Sequence, residues 1–146
     1  MRIIVAVIFC FVLVGCTTVH FYDGNEKPES ELTLVSSSLS SVKVISIDGV
    51  KNDYNPGTYR NFYLEPGYHE FVIQAAWETY TGYGFYDKTS PIFKKVCYTF
   101  EKGKKYLVTA SEPSPGWYLK MYKVLPASGL GSDYVSMDAS EFTICD

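Results

Sequence analysis

Histidine and cysteine are scarce in this chain of 146 residues, with two of the first and four of the second, and no Cys-x-x-Cys joins any of the cysteines. A zinc site needs more Cys or His at suitable spacing, and a dithiol redox centre needs that motif, so neither chemistry is expected. Basic residues are also outnumbered, 13 Lys and Arg against 16 Asp and Glu for a net charge of -3, with a pI near 5.4. Nucleic-acid binding relies on clustered cations that displace counterions, so nucleic acid is not expected as a partner. Phosphate-cradling glycine patterns are missing too: Gly82-x-Gly84 lacks the following glycine and helix of a dinucleotide site. There is no nucleophile elbow, and no stretch keeps a helical period over three turns.

What the chain does have is apolar and aromatic. Hydrophobic residues make up 47% and aromatic residues 16%, including 13 Tyr and 9 Phe. That content is enough for one globular domain with a buried core and too much for a disordered chain.

The first residues read as an address. After Arg2 an uninterrupted apolar run occupies residues 3–14, followed by Gly15 and Cys16. A bilayer span takes about 20 apolar residues, so this shorter run fits a secretory signal better than a transmembrane helix. The string Leu13-Val14-Gly15-Cys16 resembles the lipobox of bacterial lipoproteins. That resemblance implies cleavage before Cys16, lipid attachment to Cys16, and a mature chain of 131 residues, 15 fewer than the full 146. The alternative is an ordinary signal peptide that happens to end in a cysteine. Because Thr17 rather than Asp follows the cysteine, the resemblance also implies the periplasmic face of the outer membrane.

Residues 16–30 are polar, broken by Asp23-Gly24-Asn25 and Pro28, and read as a lipid-anchored tether ahead of a domain at 31–146. Residues 32–35 suggest an edge strand and 36–41, rich in serine, a connector. Residues 42–47 and 58–64 have strand composition, and 69–77 place Phe71, Ile73, Ala75 and Trp77 on one face at period two. Residues 92–100 and 105–110 read as a hairpin around Glu101-Lys102-Gly103-Lys104. Residues 117–124, bounded by Pro115 and Pro126, and 141–145 complete the set. About seven short strands separated by Gly, Pro and Asp turns predict an all-β fold, an antiparallel β-sandwich.

Across residues 42–111 the turn residues Asp48-Gly49, Pro66-Gly67, His69 and Gly103-Lys104 resemble those of the PEGA-like and related small lipoprotein domains of bacteria. The resemblance implies a β-sandwich. It implies no catalytic residue, because its motifs are turn chemistry. The aromatic insertion after Trp77 departs from the compact PEGA repeat.

Cys10 leaves with the signal and Cys16 is assigned to lipid, which leaves Cys97 and Cys145 as an even pair in an oxidising compartment. A Cys97–Cys145 disulfide is expected; two free thiols are the alternative. His69, opening a strand after a turn, is expected to satisfy loop backbone groups. No carboxylate pair or Ser-His-Asp set is nominated by spacing, so the protein is expected to be non-catalytic, with no cofactor and no metal. Trp77, Tyr80, Tyr83, Phe85 and Tyr86, interleaved with Gly82 and Gly84, form the one stretch with binding character. Rings with a polar edge stack on sugars or bury against a partner. These observations point to a lipoprotein held to the membrane by its N-terminal lipid and serving as an envelope interaction or structural module. The alternative is a glycan- or peptidoglycan-binding module that uses residues 77–86 as a loop, unless those rings cover the end of the sandwich or continue the hairpin with Tyr83 and Phe85 facing the core.

Overall fold

Alternation of large apolar and polar side chains is the dominant local signal, and it folds into strands whose inward positions are fully buried. The computed structural model describes residues 18–37, 41–52, 60–111, 116–129, 131–138 and 142–145. Eleven strands occur among them: β1 (Thr18–Phe21), β2 (Thr33–Ser37), β3 (Val42–Ile47), β4 (Val50–Lys51), β5 (Arg60–Leu64), β6 (Gly67–Thr81), β7 (Gly84–Phe100), β8 (Lys105–Ser111), β9 (Tyr118–Gly129), β10 (Gly131–Ser136) and β11 (Thr143–Ile144). One sheet runs β1-β5-β2-β8-β9-β10 and the other β11-β7-β6-β3-β4.

The two sheets form an all-β sandwich. Val35, Phe62, Leu64 and Tyr106 of the first sheet are buried against Ile47, Ile73, Val96 and Phe100 of the second. The Phe100 ring meets Tyr98 and Tyr106 edge to face, with centroids 4.8 and 5.0 Å apart. Such contacts each contribute about 0.5–1.5 kcal/mol beyond the area they bury. Burial raises the pKa of the Tyr106 phenol by penalising its charged form. The phenol oxygen accepts a hydrogen bond from the Glu101 backbone N–H at 3.3 Å.

Several expectations need correction. The strands number more than seven, and the first sheet is mixed, because β1 runs parallel to β5 and β2 parallel to β8. Strand β2 lies between β5 and β8 rather than at an edge, and it takes in Ser36 and Ser37 of the serine-rich segment. Residues 92–100 and 105–110 do not pair with each other. β7 belongs to one sheet and β8 to the other, so the turn at 101–104 crosses the sandwich. The turn at 65–67 crosses it as well, from β5 to β6, with Gly67 at φ 138. The hairpins are instead β3–β4, β6–β7, β8–β9 and β9–β10. Strand β9 continues past Pro126 and turns into β10, which the sequence pattern did not suggest. Proline is tolerated there because the β9–β10 ladder is irregular beyond Asp133, which opposes Leu125.

Within the segment read as a tether, Thr18–Phe21 is strand β1, in register with residues 61–64. The first sheet therefore begins two residues after Cys16. Cys16 itself and the apolar leader lie outside the described residues.

Candidate functional site

At one end of the sandwich the chain makes a tight polar cluster. Asp48 and Gly49 form the two-residue loop of the β3–β4 hairpin at φ 50 and 77, both in the left-handed region that this kind of loop requires. That conformation brings the Asp48 carboxylate over β6. One carboxylate oxygen accepts the Glu70 backbone N–H at 2.8 Å, and the other lies 2.5 Å from His69 Nδ1. His69 Nε2 lies 2.7 Å from the Glu65 carbonyl oxygen. Both ring nitrogens are engaged, so His69 fastens the 65–67 crossover to the β3–β4 turn, the structural role expected from its position.

Beside the cluster, a cleft of about 420 Å³ opens between the edge strands of the two sheets, lined by Val19, His20, Phe21, Tyr22, Ile47 and Asn52 among others. Several of its polar side chains are occupied with the fold. The Asn52 amide donates to the Val44 carbonyl at 3.0 Å, and His20 Nδ1 lies 3.0 Å from the Tyr22 hydroxyl. His20 also stacks on Tyr63 across the β1–β5 pair, at 5.4 Å between centroids. Burial, reinforced by the Glu29 carboxylate, pushes the Tyr63 phenol up to about 12. Among the described residues no group of three or more His, Cys, Asp and Glu is placed to hold a metal ion.

The aromatic stretch lies in the long β6–β7 hairpin and is not a loop. Its register runs from Gly67 opposite Phe100 to Thr81 opposite Gly84, and β3 accompanies β6 only as far as Ala75. Residues 76–81 and 84–89 therefore form a two-stranded ribbon that no third described strand extends. A ribbon of this kind is marginal alone and depends on its base. Trp77 supplies that base: it is half-buried and packs against the core, with its indole N–H buried and unpartnered. It is thus an anchor of the ribbon as well as a candidate for binding. Tyr83, at the turn, is 98% exposed, so it does not cover the end of the sandwich. Tyr80 and Phe85 oppose each other in register, and Tyr86 opposes Thr79. The side chains of Tyr80, Phe85 and Tyr86 lie outside the described set.

Cys97 and Cys145 are joined by a disulfide with Cα atoms 5.9 Å apart. The bond lies where β11 pairs β7, Thr143 being opposite Cys97, and the Cys145 N–H donates to the Lys95 carbonyl at 3.0 Å. It holds the C-terminal segment, whose Phe142 is buried in the core.

Two features escaped the sequence reading. The Asp48–His69 contact joins residues 21 apart, and no local signal marks it. Lys94 lies 4.6 Å from the centre of the Trp117 ring and donates to the Trp117 carbonyl at 3.0 Å, a contact between residues 23 apart in the sequence. No helix among the described residues is long and apolar enough to cross a membrane. Compared with known proteins, the chain matches no protein-family model, no curated protein and no solved structure.

Proposed function

We propose that the protein is a lipoprotein anchored through Cys16 on the periplasmic face of the outer membrane, and that its sandwich is a non-catalytic interaction or structural module of the envelope. The observation that carries the reading is the run at 3–14 closing on Leu13-Val14-Gly15-Cys16. The start of β1 at Thr18 supports it, because cleavage before Cys16 leaves every described strand whole. Likeness to PEGA-like domains belongs to the same proposal and rests on Asp48-Gly49, Pro66-Gly67 and Gly103-Lys104 occupying turns. The non-catalytic part is supported by the engagement of His69 and of His20 and Asn52 in the cleft.

A second reading makes residues 77–86 a binding element for glycan or peptidoglycan. The full exposure of Tyr83 favours it. Co-sedimentation with cell-wall sacculi, lost in Tyr83→Ser while the melting temperature is unchanged, would establish it.

Intact mass of the membrane-extracted protein, with and without reductant and an alkylating agent, tests the leading reading. Cleavage before Cys16 plus the mass of acyl chains is the expected result. A leaderless mass without acyl chains overturns the anchor.

A further inference from the structure

We propose that the β6–β7 ribbon is a membrane-docking element whose aromatic tip enters the headgroup region of the bilayer that holds the lipid on Cys16. The proposal rests on the lipid-anchor reading and deepens it, because it fixes which end of the domain meets the membrane.

Strand connections place the chain start and the ribbon at the same end. Thr18 and Ser36 both oppose Asn61, so the start of β1 is level with the last residues of β2. Strand β2 ends at Ser37 at that end, and Ser41 immediately precedes β3. The Ser41 carbonyl accepts the Ala76 N–H at 3.0 Å, and its hydroxyl accepts the Ala110 N–H at 3.2 Å, so both sheets meet there. Val42 opposes Ala75, and β6 is heading towards this end when it leaves β3 behind. The six residues 76–81 continue outward and return through β7.

Length turns this placement into a prediction. At about 3.3 Å per residue the ribbon reaches up to about 20 Å beyond the body of the sheet. Cys16 is two residues from Thr18 and so stands at most about 8 Å from it. The ribbon therefore outreaches the attachment point. With acyl chains embedded from Cys16, a ribbon of this length either enters the interface or lies along it.

The composition of the tip suits that position. Residues 79–86 (TYTGYGFY) carry no charge, and Tyr80, Tyr83, Phe85 and Tyr86 are half of them. Tyrosine concentrates at the membrane–water boundary because its ring prefers the acyl edge and its hydroxyl the headgroups. Charge returns at Glu78, directly opposite Asp87. Two acidic residues at paired positions resist transfer out of water, so they set a limit to insertion. Three residue pairs lie beyond that limit, a length of about 10 Å that matches the depth reached by interfacial elements. The same uncharged tip is poorly equipped for glycan, because specific sites orient their ligand with a few placed polar or charged groups and this tip offers only hydroxyls.

Depth-dependent quenching tests the proposal on the full-length, membrane-extracted protein in phosphatidylethanolamine/phosphatidylglycerol vesicles. Tyr83→Trp places a reporter at the tip, and the emission of the parent protein, due to Trp77 and Trp117, is subtracted. The expected result is blue-shifted added emission, of which about half is lost to lipids brominated near the headgroup end of the acyl chain, consistent with shallow insertion. Added emission that is water-like and unquenched, in protein that floats with the vesicles and carries acyl mass, overturns the docking proposal and leaves the anchor standing. Protein that lacks acyl mass and does not float overturns both. A tip silent to bromolipid but shifted by cell-wall sacculi overturns the docking proposal in favour of the glycan reading.

Discussion

Removing the Cys97–Cys145 bond should produce the largest stability change of any single covalent edit to the domain. The bond joins residues 48 apart. In the chain-entropy account, closing a loop of that length lowers denatured-state entropy enough to stabilise the fold by about 4 kcal/mol. Besides the bond, β11 is held by its two-residue pairing with β7, the Cys145 N–H to the Lys95 carbonyl and the buried Phe142 beside it. Unfolding entropy near 2.1 cal/mol/K per residue gives roughly 0.27 kcal/mol/K for a chain of this size, so the expected fall in melting temperature is about 15 °C. The variant is Cys97→Ala/Cys145→Ala, since alanine avoids placing a hydroxyl where Cys97 is buried. Scanning calorimetry of the purified protein, oxidised and after reduction, supplies the comparison. Reduced parent and double variant should melt together, well below the oxidised parent. If thiol titration shows full reduction and the melting temperature moves by less than about 3 °C, the bond does not restrict the denatured chain as argued.

Gly103→Ala and Gly49→Ala separate backbone strain from contact. Both glycines have positive φ, 70 and 77, but only at Gly103 would a Cβ approach another group, the Ser30 carbonyl oxygen at 3.2 Å. Each substitution should cost about 1–2 kcal/mol in chemical denaturation, with Gly103→Ala the more damaging; equal losses would mean the Ser30 contact is relieved without cost. Asp48→Ala removes the acceptor for His69 and for the Glu70 N–H, and a loss of about 1–3 kcal/mol is expected because that N–H then lacks its partner. An unchanged denaturation midpoint would show the cluster to be ornamental. The Lys123 ammonium, hydrogen-bonded to Glu101 at 2.7 Å, holds that carboxyl below the usual carboxylate range. The pair therefore favours the fold above the unfolded carboxyl pKa, and that contribution is lost as pH falls through the folded value. An NMR titration of Lys123→Met should move the Glu101 midpoint upward, and no movement would assign the shift elsewhere.

How much of this was legible in the sequence depends on how local each signal is. Two-residue alternation placed Phe71, Ile73 and Ala75 on one face, and that face is buried. Alternation failed at β3, where strict period two from Val44 would turn Ser46 inward. The ladder instead shifts between Val44 and Ser46, which buries Ile47 and leaves Ile45 and Ser46 only partly covered. Bulges insert one residue without a compositional mark, so the pattern could not announce this one. The turns at 65–67 and 101–104 have hairpin chemistry yet cross between sheets. What decides is the partner of each strand, β2 for β8 and β3 for β6, which lies tens of residues away. The sequence left the aromatic stretch open between a binding loop and a continued hairpin; Gly82 and Gly84 bracket Tyr83 at the turn of a ladder that runs unshifted from Ala76 to Thr81, which makes it a hairpin.

The distribution of charge carries the orientation argument one step further. Lys27–Glu65, Lys102–Glu31 and Lys123–Glu101 all gather, with Asp48, at the turns that close the end of the sandwich opposite the ribbon. Exposed pairs of this kind add little stability, typically under about 1 kcal/mol each. Their arrangement is informative for another reason: it makes that end strongly hydrated, while the ribbon end finishes in eight uncharged residues. A domain built this way has a low free energy in one orientation at an interface, with the ribbon towards lipid and the ion pairs towards water. Under the proposed anchoring, the two-residue sequence separation of Cys16 from Thr18 favours the same orientation, because the start of β1 and the ribbon are at one end of the sandwich. Under the proposed anchoring at Cys16, a partner in the periplasm would meet Asp48, Glu31, Lys102 and Lys123 first, at the end opposite the ribbon.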